Sequence, residues 1–174
     1  MSITPKELQN LQQKLQNLSN IDNINAGGCG VSAYSIVEWL NRNYPHLKAQ
    51  VIYLFDDDLD ADYESLSNGG NGACNHSVVY VGNKYYDSNG EYDVSSAYLL
   101  PLSQEKVLES IQDRRYWNPE FDIDDIEEIN SLMGTCVKPE PMSDEASLQM
   151  RERMLPSGMR DLLRLIKQID EMED

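Results

Sequence analysis

The 174-residue sequence predicts an α+β protein. Its first hundred residues combine two amphipathic helix patterns with runs of strand-forming residues, one of which has the pattern of a β-hairpin. Beyond that point the patterns are helical. We therefore expect a core of helices packed on an antiparallel sheet over residues 1–101. Residues 102–174 are expected to form a helical extension, which either packs on the core or binds a partner.

The composition is strongly acidic, with 14 Lys and Arg against 30 Asp and Glu and a formal net charge of −16. A surface of this charge repels nucleic acids and anionic membranes, and it favours a basic partner or substrate. The sequence also lacks an apolar run of about 18 residues and a secretory signal pattern. We therefore expect a cytoplasmic protein that binds neither nucleic acid nor membrane.

The cysteine count agrees with a reducing compartment. Cys29, Cys74 and Cys136 form an odd set without the spacing of a disulfide framework. The asparagine- and tyrosine-rich composition and the short chain are typical of viral or phage proteins, for which the compartment would be the host cytoplasm. The sequence does not predict an oligomeric state.

The first helix is predicted over residues 3–18. Thr4 has the character of an N-cap, Pro5 fits the first helical position, and Glu7 completes a capping box. Four leucines then follow at spacings of three and four residues, which forms one apolar stripe on a polar helix. We expect this stripe to lie on the core.

The second helix pattern carries the first candidate for chemistry. Residues 25–44 contain Gly28, Cys29 and Gly30, followed by apolar residues at near-helical spacing. Cys29 is therefore expected at the N-terminus of a buried helix. Unpaired backbone N–H groups and the helix dipole favour a thiolate at that position. The competing interpretation is an ordinary buried cysteine after a glycine turn.

A second stretch supplies a base and a carboxylate. Residues 75–90 predict a hairpin in which His76 opens one strand, Gly82-Asn83 forms the turn and Asp87 closes the next strand. The two ends of such a hairpin lie side by side, so the carboxylate is expected to hold one imidazole nitrogen while the other faces Cys29. The other histidine, His46, has the setting of a surface loop residue.

These residues resemble the papain-like cysteine hydrolases. The Cys-Gly-Val-Ser-Ala start of the second helix is similar to the bacteriocin-processing (double-glycine leader) peptidases, and the His-x-Val-x-Tyr-x-Gly-Asn hairpin is similar to the NlpC/P60 amidases. Position by position, the resemblance implies Cys29 as nucleophile, His76 as base and Asp87 as the residue that orients the base. Asn23 stands where such peptidases carry an oxyanion-hole glutamine, and Asn25 competes for that role.

The resemblance covers residues 20–95 and implies a papain-like fold, in which the nucleophile helix packs on the sheet that supplies the histidine. Gly28 and Asn75, each directly before a catalytic candidate, are expected to contact the substrate. Two departures stand out: asparagine reaches less far than glutamine, and Ser88 follows Asp87 where the leader peptidases commonly have proline.

The segment between the two motifs holds weaker signals. Residues 49–55 predict a central strand, and residues 56–64 contain six acidic positions. Their alternation imitates a calcium loop, but Ala61 replaces the required glycine and Ser67 the required glutamate. We expect a solvated acidic loop that favours a basic substrate, followed by a glycine-rich lid over 67–73. Cys74 and His76 resemble half a zinc site without a second ligand pair, so no metal or cofactor is expected.

The remaining sequence predicts helices at 103–112 and at about 120–132, and two further helices over 143–155 and 156–172 beyond a proline-containing linker. An arginine–aromatic cluster at 114–117 is expected to pair with internal carboxylates rather than with nucleic acid. The last helix has a broad apolar face that either packs on the domain or binds a partner.

Two functions follow from the sequence. The first is a thiol hydrolase that cleaves a peptide, isopeptide or related amide bond of a protein or peptide through a thioester intermediate. The same residues would also support acyl transfer or deamidation. The alternative is a non-enzymatic acidic protein of the nucleic-acid-mimic type, which occupies a basic partner through its carboxylates.

Overall fold

The computed structural model describes residues 2–55, 74–95, 97–112 and 120–138, together with residues 143, 145, 146 and 149. The predicted acidic loop, the predicted glycine-rich lid and the arginine–aromatic cluster lie outside these residues. Most of the predicted linker and of the helix predicted over 143–155, and all of the helix predicted over 156–172, also lie outside them.

The described residues form helices and one antiparallel sheet, which confirms the α+β class. The helices are α1 (Pro5–Ser19), α2 (Cys29–Asn43), α3 (Gln104–Ile111) and α4 (Ile123–Met133). The strands are β1 (Gln50–Phe55), β2 (Cys74–Val81), β3 (Lys84–Asp87), β4 (Gly90–Glu91) and β5 (Tyr98–Leu102). A short 3₁₀ helix (Pro45–Leu47) joins α2 to β1.

The sheet has the order β4-β3-β2-β1-β5. Strands β2, β3 and β4 form a meander of hairpins, whereas β5 returns to pair with β1 on its other side. Strand β1 is therefore hydrogen-bonded on both edges, as its nearly continuous apolar sequence predicted. Each of these five strands pairs antiparallel with its neighbours.

The two faces of the sheet bury different residues because side chains alternate along a strand. One face packs on the helices through a set that includes Val51, Tyr53, Val79 and Val81. The opposite face carries a smaller buried cluster of Ile52, Leu54 and Val78, against which Val94 and Ala97 pack. The main core thus lies between the sheet and the helices.

Helix α1 begins with the predicted capping box. The Thr4 hydroxyl accepts from the Glu7 N–H at 3.2 Å, and the Glu7 carboxylate accepts from the Thr4 N–H at 2.9 Å. The stripe is confirmed by Leu11, Leu15 and Leu18, which are buried in the main core. Helix α1 contacts α4, so the first and the last described helix share this core.

Helices α3 and α4 both pack on α2. Ser103 and Asp122 cap them, and their buried residues join the main core. Residues 104–133 therefore contribute to the same core as the first hundred residues. No helix among the described residues has the length and apolar character needed to cross a membrane.

Candidate active site

Cys29 is the first residue of helix α2, as the sequence predicted. Gly28 is the N-cap and has no side chain to accept from the first-turn N–H groups. The first intrahelical bond runs from the Ser32 N–H to the Gly28 carbonyl at 2.9 Å, so the earlier amides have no partner within the helix. The thiol is partly exposed and lies where the helix dipole favours a negative charge.

The start of α2 is packed too closely for a side chain at Gly28. A Cβ atom there would lie 2.5 Å from Cε2 of Phe121 and 2.7 Å from the carbonyl oxygen of Ile24. At Gly30, a Cβ atom would lie 2.8 Å from Cγ2 of Ile111. Glycines on both sides of Cys29 therefore let the residues around α3 and α4 approach helix α2 closely.

The predicted hairpin brings a histidine and an aspartate together. Strands β2 and β3 are joined by Gly82 and Asn83, which have φ values of 59° and 65° as a tight hairpin turn requires. Nε2 of His76 lies 2.9 Å from Oδ2 of Asp87, and the two side chains are 10 % and 9 % exposed. The predicted juxtaposition of these two residues is confirmed.

The aspartate is held at both oxygens. While Oδ2 faces His76, Oδ1 accepts from the Asn89 N–H at 2.8 Å. This local turn fixes the carboxylate at the point where β3 ends. Asp87 therefore presents a defined oxygen to the imidazole.

A bulge precedes His76. The pairing of β1 with β2 passes from Leu54 opposite His76 to Phe55 opposite Cys74, so that Asn75 is an extra residue in β2. Such insertions bend a strand and redirect its side chains. The bulge therefore lies beside the candidate base.

The thiol of Cys29 is hydrogen-bonded to His76 and to Ser77. Burial raises the pKa of Cys29, but the hydrogen bond with His76 and the charge on that ring lower it. Hydrogen bonds from the backbone and side chain of Ser77 act in the same direction. The net effect is a pKa below the ordinary thiol value, which favours a thiolate.

The pKa of His76 is shifted in the opposite direction from that of Cys29. Burial lowers the pKa of His76, but the hydrogen bonds to Asp87 and Cys29, together with the charges of both groups, raise it to about 9. Because Asp87 occupies Nε2, Nδ1 is the ring nitrogen that faces Cys29. The arrangement favours a thiolate–imidazolium pair oriented by a carboxylate.

Tyr92 covers the imidazole. Its ring centroid lies 5.0 Å from that of His76, with the two planes tilted by 47°. The side chain is 36 % exposed, so Tyr92 forms the boundary between the histidine and solvent. An aromatic face at this distance favours the protonated ring.

The two oxyanion candidates have different settings. Asn23 has a left-handed backbone with a φ of 59°, and its carbonyl accepts from the Ala26 N–H at 2.9 Å. Nδ2 of Asn25 donates to Oγ of Ser88 at 2.7 Å. The oxyanion roles of both asparagines stay predictions.

The predicted substrate contacts also remain untested. Gly28 is buried against Phe121, and the side chain of Asn75 lies outside the described residues. His46 has an exposed side chain whose Nε2 lies 2.9 Å from Oε1 of Glu7. Its predicted surface position is confirmed.

Sequence reasoning missed four residues at this site, namely Ser77, Ser88, Tyr92 and Phe121. The first two directly follow His76 and Asp87, so their position in sequence was a usable signal. By contrast, the contact of Tyr92 with His76 depends on the path of the chain after β4. The contact of Phe121 with Gly28 depends on packing across about ninety residues.

No protein-family model, curated protein or solved structure shows a significant match to this chain. The site is therefore interpreted from its own geometry. Within the part of the chain that the structure describes, no three His, Cys, Asp or Glu side chains are grouped so as to hold a metal ion.

Proposed function

We propose that this protein is a thiol hydrolase of papain-like type, which cleaves peptide, isopeptide or related amide bonds. The observation that carries the proposal is the chain of contacts from Cys29 to His76 to Asp87. The thiol at the start of α2 is hydrogen-bonded to an imidazole whose other nitrogen is 2.9 Å from a buried carboxylate. A helix that presents the nucleophile to an antiparallel sheet agrees with the papain-like arrangement.

The first half of the reaction forms a thioester. The Cys29 thiolate attacks the carbonyl carbon of the scissile amide, and the carbonyl π electrons move onto oxygen. His76 then donates the proton on Nδ1 to the amide nitrogen as the carbon–nitrogen bond breaks. The amine leaves, and the acyl group remains on sulfur.

The second half restores the enzyme. Neutral His76 takes a proton from water as the water oxygen attacks the thioester carbon. Collapse of the tetrahedral intermediate breaks the carbon–sulfur bond, releases the acid and regenerates the thiolate–imidazolium pair. An amine in place of water would give acyl transfer, and a primary amide substrate would give deamidation.

The negative charge on the substrate oxygen needs donors in both halves. The backbone N–H of Cys29 belongs to the first turn of α2 and supplies one donor. Asn23 and Asn25, from the loop before the helix, are the candidates for a side-chain donor. One such donor is typically worth about 3 kcal/mol of transition-state stabilisation.

The proposal is tested by the pH dependence of Cys29 alkylation with iodoacetamide, read at each cysteine by peptide mass. The expected result is selective reaction of Cys29 at pH 6 and loss of that selectivity in His76→Ala. His46→Ala is the matched control, because His46 is exposed and hydrogen-bonded to Glu7 rather than to the thiol. A Cys29 that reacts like an ordinary thiol of pKa about 8.5 would refute the proposal.

Given a reactive Cys29, the substrate class is sought with peptide libraries and ubiquitin-like conjugates, with Cys29→Ala as the inactive control. Basic peptides are tested first because the protein has a formal charge of −16. An activity that persists in Cys29→Ala would assign the chemistry to another group.

The alternative is the acidic binding protein that the composition suggested. Asp124, Glu127 and Glu128 are exposed on α4 and favour it. Such a protein would bind a basic partner without Cys29, and its affinity would fall steeply with salt. Partner binding that survives Cys29→Ala and disappears at high salt would support this function.

A further inference from the structure

One hydrogen bond connects the loop before the nucleophile to the turn after the orienting carboxylate. Nδ2 of Asn25 donates to Oγ of Ser88 at 2.7 Å, although the two residues are 63 positions apart in sequence. Asn25 precedes Cys29 by four residues, and Ser88 directly follows Asp87. Ser88 is 2 % exposed and Asn25 is half-buried, so this contact is partly shielded from solvent.

The turn that carries Ser88 is itself rigidly connected to Asp87. The Asn89 N–H donates to Oδ1 of Asp87 at 2.8 Å, and Asp87 pairs with Gly90 across the β3–β4 hairpin. A contact that holds Ser88 in place therefore also holds the carboxylate of Asp87. Through Oδ2, that carboxylate orients His76.

The Asn25 amide uses one of its two N–H groups in this arrangement. Its nitrogen is bonded to Ser88, and Oδ1 is enclosed, without a hydrogen-bond partner in the described part of the chain. Exchanging the two amide atoms would let the Ser88 hydroxyl donate to oxygen instead, but it would place the NH₂ group at the enclosed position. Either assignment keeps a hydrogen bond between Asn25 and Ser88.

We propose that Asn25 is a positioning residue, which acts through Ser88 to hold Asp87 and His76 in register with Cys29. The inference rests on the proposed thiol hydrolase function. It gives Asn25 a role that does not depend on the oxyanion hole, for which Asn23 stays a candidate.

An effect on the site can be measured separately from an effect on the stability of the fold. Loss of one hydrogen bond destabilises a fold modestly, and a buried polar atom left without a partner destabilises it further. Replacing both Asn25 and Ser88 by alanine removes the bond together with the enclosed Oδ1 atom and leaves neither partner unpaired. We therefore expect the double variant to unfold close to the wild-type temperature while its site is impaired.

The experiment compares the pH dependence of Cys29 alkylation in wild type, Asn25→Ala, Ser88→Ala and the double variant. Iodoacetamide reacts by displacement at carbon and develops no oxyanion, so its rate reports the thiolate–imidazolium pair and not the oxyanion hole. We expect each single variant to shift the profile upward by about one pH unit, which is about a tenfold loss at pH 6. Since both variants break one contact, the double variant should lose no more than either single variant.

Asn20→Ala is the matched control, because Asn20 is exposed at the start of the same loop and should keep the wild-type profile. Thermal unfolding followed by circular dichroism checks each variant. If a single variant fails to fold, the double variant provides the comparison. A double variant that also fails to fold would overturn the inference, because it would show that Asn25 and Ser88 are needed for folding.

Two further outcomes would overturn the inference. Unchanged profiles in both single variants would show that the contact does not position the site. A shift in Asn25→Ala without one in Ser88→Ala would show that Asn25 does not act through Ser88. Failure of the proposed function is distinct, since wild type and His76→Ala would then have the same Cys29 profile.

Discussion

Oδ2 of Asp87 lies 2.9 Å from Nε2 of His76, at the end of a hairpin whose turn is two residues long. Because this contact uses Nε2, the imidazole presents Nδ1 to Cys29. The short turn fixes the register of β2 and β3, and the register fixes which carboxylate meets the ring. The hairpin therefore brings the candidate base and its carboxylate together from positions 11 residues apart in the chain.

Two substitutions of Asp87 distinguish its effect on the orientation of His76 from the effect of its carboxylate charge. Asp87→Asn keeps an oxygen that can accept from Nε2, but it removes the carboxylate charge that raises the pKa of His76. We expect the alkylation rate of Cys29 at pH 6 to fall about tenfold in Asp87→Asn and about a hundredfold in Asp87→Ala, which also loses the orientation. The rates are measured with iodoacetamide and peptide mass.

Asp93→Asn is a matched control for this series. Asp93 is exposed, and its Oδ1 accepts from the Ser95 N–H at 3.0 Å, in the same type of local turn as at Asp87. This variant should react like wild type. A wild-type rate in Asp87→Asn would show that the carboxylate charge does not support the ion pair.

The raised pKa of His76 predicts a pH dependence of stability. The folded-state value of about 9 exceeds the unfolded value of 6.5, so the folded protein binds the proton more tightly. The contribution to stability is therefore complete below about pH 6.5 and is lost as the pH rises through about 9. The free energy of unfolding, measured with urea for wild type and His76→Gln, should differ most near pH 7 and converge toward pH 10.

His46→Gln controls for loss of a histidine outside the contact with Cys29. A difference between wild type and His76→Gln that stays constant or grows from pH 7 to pH 10 would contradict the prediction. In the proposed hydrolase mechanism the same ionisation would set the upper pH limit of activity, because the imidazolium would protonate the leaving amine. Turnover of any substrate identified should therefore decline as the pH passes about 9.

Tyr92 should support the protonated imidazole through its ring. An aromatic face near a cation is worth about 0.5–1 kcal/mol at an exposed site, which corresponds to about a two- to fivefold effect. We expect Tyr92→Ala to lower the alkylation rate of Cys29 at pH 6 by that factor and Tyr92→Phe to retain the wild-type rate.

Tyr85→Ala is the control for loss of a tyrosine contact. The Tyr85 and Tyr80 rings have the same separation of 5.0 Å and tilt of 47° as the rings of Tyr92 and His76. Removing Tyr85 should therefore change stability without shifting the pH profile of Cys29. Equal shifts in Tyr85→Ala and Tyr92→Ala would assign the effect to the sheet as a whole.

Gly28→Ala should destabilise the fold at the start of helix α2. The added Cβ would lie 2.5 Å from Phe121 and 2.7 Å from the Ile24 carbonyl, so neighbouring atoms must move. Overpacking of this kind typically costs about 1–3 kcal/mol. Urea denaturation measures the loss.

Phe121→Leu tests whether the clash with the Phe121 ring causes the destabilisation in Gly28→Ala. In the double variant the smaller side chain should relieve part of the clash, so the total destabilisation should be less than the sum of the two single effects. Additive losses would show that the Ile24 carbonyl, rather than the Phe121 ring, limits the space at Gly28.

Much of the local structure was predictable from the sequence. The helix after Cys29, the capping box at Thr4 and Glu7, and the hairpin turn all depend on residues within a few positions of each other. Helix periodicity and strand alternation are local patterns and can be recognised without tertiary contacts. The hairpin brings His76 and Asp87 to the same end of two neighbouring strands.

The sequence by itself thus determined the α+β class and the end of the hairpin where a histidine meets a carboxylate. Only the tertiary structure decided that β5 pairs with β1, that Ser77 contacts the thiol and that Asn25 bonds to Ser88. It also decided that Phe121 closes the space at Gly28. The physical reason is distance along the chain, since these contacts depend on how elements from separate parts of the sequence pack in one core, whereas the hairpin and the helix caps are fixed by neighbouring residues.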